Sequence, residues 1–241
     1  AIQSDRLLTI ASSGTLSMVV DLDYTGLNND RFALAGTEKY LAGRIKLQAE
    51  QENVELRDLA LRFVTNTGAT TYAALDATID SINLYSNPSM ADNTLLGTAD
   101  FAATTTLEDV NYTVVDGTDS YLFVGLRLNS VGTESDGTAV VSTSFKFKVD
   151  GAGHDVVGAS SNDDITPTVT QTLTNDITVV PVKITNVAST FSSGNLIGGN
   201  QNIFSFTVTA DAGRNTDADG DVLSAHLTRM KLQLSTDVGD G

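Results

Sequence analysis

The sequence predicts an all-β protein of immunoglobulin-like antiparallel β-sandwich modules in tandem, with the second module incomplete. Three observations predict this fold. Apolar and polar residues alternate in many short stretches, as on strands with one buried face. Asp outnumbers Glu by 24 to 6, and Asp favours turns whereas Glu favours helices. A strand pattern near residue 45 recurs near residue 206, which indicates a repeated module.

Turn residues separate the predicted strands and set their order along the chain. A Ser-Ser-Gly turn divides the first two strands, and Asn-Pro, Asp-Gly and Gly-Ala-Gly sequences divide later ones. Short strands at this spacing are typical of a sandwich or a barrel. The predicted strands cover residues 7–10, 16–22, 45–49, 59–63, 82–85, 112–115, 121–128, 139–149 and 168–173.

Residues 38–63 allow a second interpretation. The segment is rich in Glu, Gln, Arg, Leu and Ala, so it could form an amphipathic helix. The internal repeat favours strands over a helix, because Ile45-x-Leu47-x-Ala49 recurs as Phe206-x-Val208-x-Ala210 within a run of β-favouring residues. Both copies are expected to share one structure. We therefore predict strands for the first copy too.

The repeat also predicts the domain organisation. One pattern recurs 161 residues later (45 to 206), and a second recurs 171 residues later (56 to 227). We expect a β-sandwich module over residues 1–165, a linker or connecting strand over 166–178, and the start of a related module over 179–241. The difference between the offsets predicts ten extra residues in the second copy, close to an acidic loop at 211–220.

Charge and composition exclude several classes of function. The formal net charge is −16, which opposes binding to nucleic acid or to an anionic membrane surface. The absence of Cys excludes disulfides, thiolate catalysis and zinc–thiolate sites. No apolar run reaches the length of a membrane helix. We expect an extracellular, cell-surface protein whose many acids serve solubility or calcium binding.

One motif carries a specific chemistry. Asn215, Asp217, Asp219 and Asp221 place oxygen ligands at alternate positions around Gly220. This spacing resembles the first part of an EF-hand loop, although His226 stands where that loop has its bidentate Glu. These four residues form the candidate Ca²⁺ loop, and calcium is the one cofactor that the sequence suggests. The alternative is an acidic hairpin loop without metal.

No catalytic group emerges from the sequence. His154 lies in a Gly-rich turn and His226 in a strand pattern, where a histidine is usually structural or solvated. The chain has no nucleophile elbow, Walker A or HExxH sequence. A hydrolase with an acidic pair stays an alternative, but sugar sites often stack rings on Trp, which is absent. We expect no enzyme activity.

Three segments of the sequence together resemble known proteins. They are the opening run at 8–21, the strand pattern from Ile45 to Leu56 and the Ile82-Asn-Leu-Tyr85 segment. They are similar to tandem β-sandwich modules of large bacterial S-layer-like and adhesin-like surface proteins. The resemblance covers residues 7–150, restarts near 179, and carries no catalytic residues over to this chain. It implies an outer-surface, structural or adhesive role.

Two functions follow as expectations. The first is a secreted cell-surface structural protein that self-assembles with identical chains into an S-layer-like or filamentous array, joined by Ca²⁺ and by β-strand exchange. Residues 2–10 are the candidate donated strand. The alternative is an adhesin or a Ca²⁺-dependent carbohydrate-binding module, with a cell-surface glycan as its partner.

Overall fold

The computed structural model describes residues 13–65, 71–130, 143–180, 182–187 and 205–210. These residues form fifteen strands, one short α-helix and one 3₁₀ turn at Asp92–Thr94. The helix α1 covers Tyr72–Thr78. The strands are β1 Thr15–Val20, β2 Arg31–Leu34, β3 Tyr40–Glu50, β4 Val54–Thr65, β5 Ile79–Tyr85, β6 Leu95–Asp100, β7 Thr104–Leu107, β8 Tyr112–Val114, β9 Asp119–Leu128, β10 Ser144–Val149, β11 Asp155–Gly158, β12 Thr168–Thr170, β13 Ile177–Val180, β14 Val182–Val187 and β15 Ser205–Ala210.

Two sheets pack face to face and confirm the predicted all-β sandwich. The front sheet has the strand order β12-β1-β3-β9-β5-β6. The back sheet has the order β11-β4-β10-β13-β2, and β7 and β8 also pair with β4. Most neighbouring strands are antiparallel, but β12 runs parallel to β1 and β13 runs parallel to β2. Both sheets are therefore mixed, because these late strands return to the first two strands of the fold.

The segment with two interpretations is β-structure. β3 and β4 are its strands, and a turn at 51–53 joins them. Along β3, Ile45, Leu47 and Ala49 are buried, whereas the residues between them face outwards. This alternation buries one face of the strand, as the period-two pattern predicts.

Residues 166–178, expected as a linker or connecting strand, supply strands to both sheets. They contain β12 and the start of β13, and the bend between these strands is bonded to β10. The Thr174 hydroxyl accepts a hydrogen bond from the Phe147 backbone N–H at 3.0 Å, and Lys146 pairs with Asp176 at 3.3 Å. Because these contacts lie inside the first sandwich, its strands continue through Val180, beyond the expected boundary at 165.

The helix α1 is a feature that the sequence analysis does not predict. Its N-cap is Thr71, whose hydroxyl accepts a hydrogen bond from the Ala74 N–H at 3.2 Å. A capped helix of seven residues is too short for a periodic pattern to identify.

The core lies between the sheets and is built around aromatic rings from the back sheet. The Phe63 ring lies 6.1 Å from that of Phe145 and 5.8 Å from that of Phe147, and all three side chains are fully buried. Phe101 packs against the edge of the Phe63 ring at 5.2 Å. Aliphatic residues from the inner face of the front sheet complete this core, whose burial is the main stabilising contribution to the fold.

β14 pairs with β15 in an antiparallel ladder, as β1 pairs with β3. Met18 lies opposite Leu47, and Leu16 lies opposite Ala49. In the later pair, Ile184 lies opposite Val208 and Val182 lies opposite Ala210. Leu47 and Ala49, and their recurrences Val208 and Ala210, thus lie on the second strand of an antiparallel pair in both places, and the residues opposite them are 166 residues apart in sequence (18 to 184). The recurrences of the repeat at 227–234 lie outside the described residues.

Candidate interaction sites

The candidate calcium loop lies outside the described residues. Asn215, Asp217, Asp219 and Asp221 all fall in the range 211–241, so calcium binding there stays a prediction from sequence. Within the described ranges, no group of three or more His, Asp or Glu side chains is placed to hold a metal ion. The candidate donated strand, residues 2–10, also lies outside the description.

His154 is a structural residue, as its sequence context predicts. Its Nδ1 accepts a hydrogen bond from the Ala60 backbone N–H at 3.2 Å, and its Nε2 lies 2.8 Å from the Asp150 carbonyl oxygen. The proton therefore resides on Nε2, and the ring ties the turn after β10 to β4. Burial lowers the pKa of His154, which keeps the imidazole neutral.

A polar and aromatic cluster covers the outer face of the front sheet. The guanidinium carbon of Arg44 lies 4.4 Å from the ring centroid of Tyr24 and 4.2 Å from that of Tyr121. Asp21 forms an ion pair with Arg44, and only 10% and 16% of their side chains are exposed. Phe123 packs edge-on against Tyr24 at 5.8 Å. The charges in this cluster are largely removed from water and paired.

A second polar group extends the same face towards the β3–β4 turn. Asp119 accepts from Lys46 at 2.7 Å and from the Gln48 amide at 2.6 Å. The hydrogen bond from Lys46 is the main cause that lowers the pKa of the Asp119 carboxyl. With the Arg44 cluster, these residues give the front sheet an outer face of rings and hydrogen-bonding groups. Neither group stands out from the sequence, because the partners of each residue lie on other strands.

The Glu52 carboxylate joins three separate parts of the chain. It accepts hydrogen bonds from the Gly14 N–H before β1 at 3.0 Å, and from Ser160 and Ser161 N–H after β11 at 2.8 and 3.0 Å. The Ser161 hydroxyl adds a fourth hydrogen bond at 2.7 Å. These four hydrogen bonds lower the pKa of Glu52 to about 2, and the bond from the Ser161 hydroxyl makes the largest contribution. We call this group the Glu52 clasp.

None of the helices found in the described ranges has the length and apolar content that a membrane-spanning segment needs.

Comparisons with known proteins add only distant structural likenesses. No family description and no curated protein match the chain. A chain from a cohesin–dockerin complex is similar over 69% of this chain and 100% of its own, with 12% identity and a TM-score of 0.34. A family 123 glycoside hydrolase from Clostridium perfringens is similar over 70% of this chain and 27% of its own, with 9% identity and a TM-score of 0.30. Likenesses at this level carry no argument about function.

Proposed function

We propose that the chain is a non-catalytic, secreted cell-surface protein that self-assembles into an S-layer-like or filamentous extracellular array. The observation that carries the proposal is the second strand pair, in which β14 pairs with β15 in antiparallel as β1 pairs with β3, and the residues of β15 repeat the pattern of β3. We infer that this pair opens a second sandwich of the same design. Repeated sandwiches are suited to building extended structures, because each unit buries its own core and leaves its outer faces free.

The negative charge and the absence of Cys fit the same role. A net charge of −16 favours solubility in an extracellular setting and leaves many carboxylates for divalent cations. A fold stabilised by a large apolar core has no need of disulfides. We propose that Ca²⁺ and strand exchange through residues 2–10 connect neighbouring chains.

Negative-stain electron microscopy of the purified chain, with and without several millimolar Ca²⁺, tests this function. We expect ordered sheets, tubes or filaments that depend on Ca²⁺. Isolated particles in both conditions would contradict the assembly role. Deleting residues 1–10 tests strand exchange separately, since assembly should be lost while the circular dichroism spectrum is retained. Arrays that persist after the deletion would rule out the donated strand.

An adhesin or Ca²⁺-dependent carbohydrate-binding module is the second candidate function. The observation in its favour is the outer face of the front sheet, where Tyr24 and Tyr121 flank Arg44 beside Lys46 and Asp119. Rings and hydrogen-bonding groups together are the usual components of a sugar site. Glycan-array binding that is lost in chelator and on Tyr121→Ala would favour this function over the structural one.

A further inference from the structure

The outer face of the back sheet carries two positive charges directly opposite each other. Arg62 on β4 is paired in register with Lys148 on β10. Both residues lie between buried neighbours, so their side chains point away from the core, and Arg62 is exposed whereas Lys148 is half-buried. Like charges at opposite positions of antiparallel strands destabilise a sheet. We call Arg62 and Lys148 the basic pair.

The basic pair is an exception among the cations of this chain. The structure describes the side chains of nine basic residues, at positions 31, 39, 44, 46, 57, 62, 127, 146 and 148. Six of them form ion pairs with Asp or Glu, and Arg31 donates to two backbone carbonyls of β3. Within the described ranges, only the side chains of Arg62 and Lys148 have neither an ion pair nor a hydrogen bond. The repulsion between them is therefore not offset by any acid that the structure describes.

Acids beside the basic pair in the sheet are engaged elsewhere. Asp176, just before β13, pairs with Lys146 at 3.3 Å. Asp150, two residues after Lys148, accepts a hydrogen bond from the Gly151 N–H at 2.6 Å. On the other side of β4, the uncharged Thr104 lies opposite Arg62. The two cations thus present an unneutralised charge to a further carboxylate group.

We propose that the acidic segment 211–221 of the same chain docks on the basic pair. The segment holds four Asp and one Arg, so its net charge is −4 + 1 = −3. Asp217, Asp219 and Asp221 occupy alternate positions, and in an extended segment their carboxylates face the same side. Two of these carboxylates then meet the guanidinium and the ammonium in charge-assisted hydrogen bonds.

The strand pairing brings the start of this segment close to the back sheet. β15 ends at Ala210, which lies opposite Val182 at the start of β14. Val182 follows Val180, the last residue of β13, by two positions. Paired Cα atoms are about 5 Å apart and consecutive ones 3.8 Å, so Ala210 lies within about 13 Å of the end of β13.

The segment is long enough to cover the remaining distance. Thr178 of β13 lies opposite Ser144 of β10, so Lys148 is about 20 Å along the sheet from Val180 at about 3.4 Å per residue. Together the two distances come to about 33 Å at most. The stretch from Ala210 to Asp221 spans up to about 36–40 Å when extended, and the side chains add to this reach.

Docking within one chain fits the acidity of the molecule. It does not bring together two bodies that each carry a charge of −16, and the tether keeps the segment at a high effective concentration near the pair. The inference goes beyond the proposed function and does not depend on array formation. It assigns the basic face of the first sandwich to the chain that follows β15.

Carbodiimide cross-linking of the full chain tests the contact, because it joins an ammonium and a nearby carboxylate as an amide. EDTA is present, since Ca²⁺ would compete for the same carboxylates. We expect tryptic mass spectrometry to show Lys148 joined to residues 215–229, with no mixed-label products when ¹⁵N-labelled and unlabelled chains are combined. Lys148 joined instead to residues 131–142, links between differently labelled chains, or no link at Lys148 would overturn the proposal.

Two variants test whether the pair holds the segment. Arg62→Ser should lower the yield of the Lys148 cross-link about threefold or more, because it removes one of the two cations. Arg57→Ser is the matched control, since Arg57 lies on the same strand but pairs with Glu55 at 3.1 Å, and the yield should stay unchanged. Circular dichroism should show both variants folded, and about 0.5 M NaCl should suppress the wild-type cross-link. Equal losses in the two variants, or a yield unaltered by Arg62→Ser and by salt, would contradict docking on the pair.

Discussion

At the scale of single residues, the Glu52 clasp shows how one carboxylate can join distant segments. Its hydrogen bonds connect the start of β1, the β3–β4 turn and the loop after β11. These donors bind the ionised carboxylate, so the pKa of Glu52 falls from 4.5 to about 2 on folding. Because the folded pKa is the lower one, the clasp stabilises the fold fully above pH 4.5, and its contribution is lost as the pH falls towards 2.

We predict that Glu52→Gln lowers the free energy of unfolding at neutral pH. An amide offers one acceptor oxygen in place of two and turns its NH₂ towards backbone donors. Urea unfolding of both chains at a series of pH values measures the effect, and the difference should shrink as the pH falls from 4.5 towards 2. Glu108→Gln, a change at an exposed glutamate, is the control. A gap between wild type and Glu52→Gln that is constant with pH would contradict the clasp.

At the scale of elements, the alternation of β3 was predictable but its irregularity was not. The pairing of β3 with β9 shifts between Leu41 and Gly43, which marks a β-bulge. At Gly43 the front sheet approaches the core so closely that a Cβ atom would lie 2.5 Å from Cζ of Phe147. Phe147 is fully buried and packs against Phe63. A glycine is therefore required here by a ring from the other sheet.

We predict that Gly43→Ala destabilises the protein by about 1–3 kcal/mol, the usual cost of overpacking a core. Gly97→Ala is the matched control, because a Cβ at Gly97 would meet its nearest neighbour at an ordinary 3.6 Å. Thermal and urea unfolding measure the stability change of the Gly43→Ala and Gly97→Ala variants. Phe147→Leu should make Gly43→Ala less costly, so the two changes should be non-additive. Additive effects would show that the ring is not what excludes a side chain at Gly43.

Sequence reasoning predicts the strands whose pattern is local, but not the contacts that depend on tertiary pairing. Strands with one buried face, such as β1 and β3, were predictable because their period-two pattern is local. The placement of residues 168–180 in both sheets was not, since Thr174 and Asp176 find their partners on β10. The Glu52 clasp and the Arg44 cluster were hidden for the same reason. Their residues are ordinary in sequence, and only tertiary pairing brings them together.

At the scale of the whole molecule, the acidic residues and the sequence repeat both bear on where the chain could bind calcium. The chain carries 30 acidic residues, yet the described ranges hold no cluster of three or more His, Asp or Glu side chains placed to hold a metal ion. Several of these acids form ion pairs instead, such as Asp21 with Arg44 and Asp176 with Lys146, and the calcium site that the sequence predicts is the loop with Asn215, Asp217, Asp219 and Asp221. The sequence places that loop in the second copy, where it has ten residues more than the first.

We predict that this loop binds Ca²⁺ with a saturable heat in calorimetric titration and raises the melting temperature at millimolar Ca²⁺. Asp217→Asn with Asp219→Asn should abolish both effects, because the change removes two ionised oxygen ligands. Asp163→Asn with Asp164→Asn removes the same charge from an exposed turn of the first sandwich and should bind as wild type does. NaCl at matched ionic strength separates binding from screening. Equal loss of heat in both double variants would show that calcium responds only to net charge, and array formation would then need no specific metal loop.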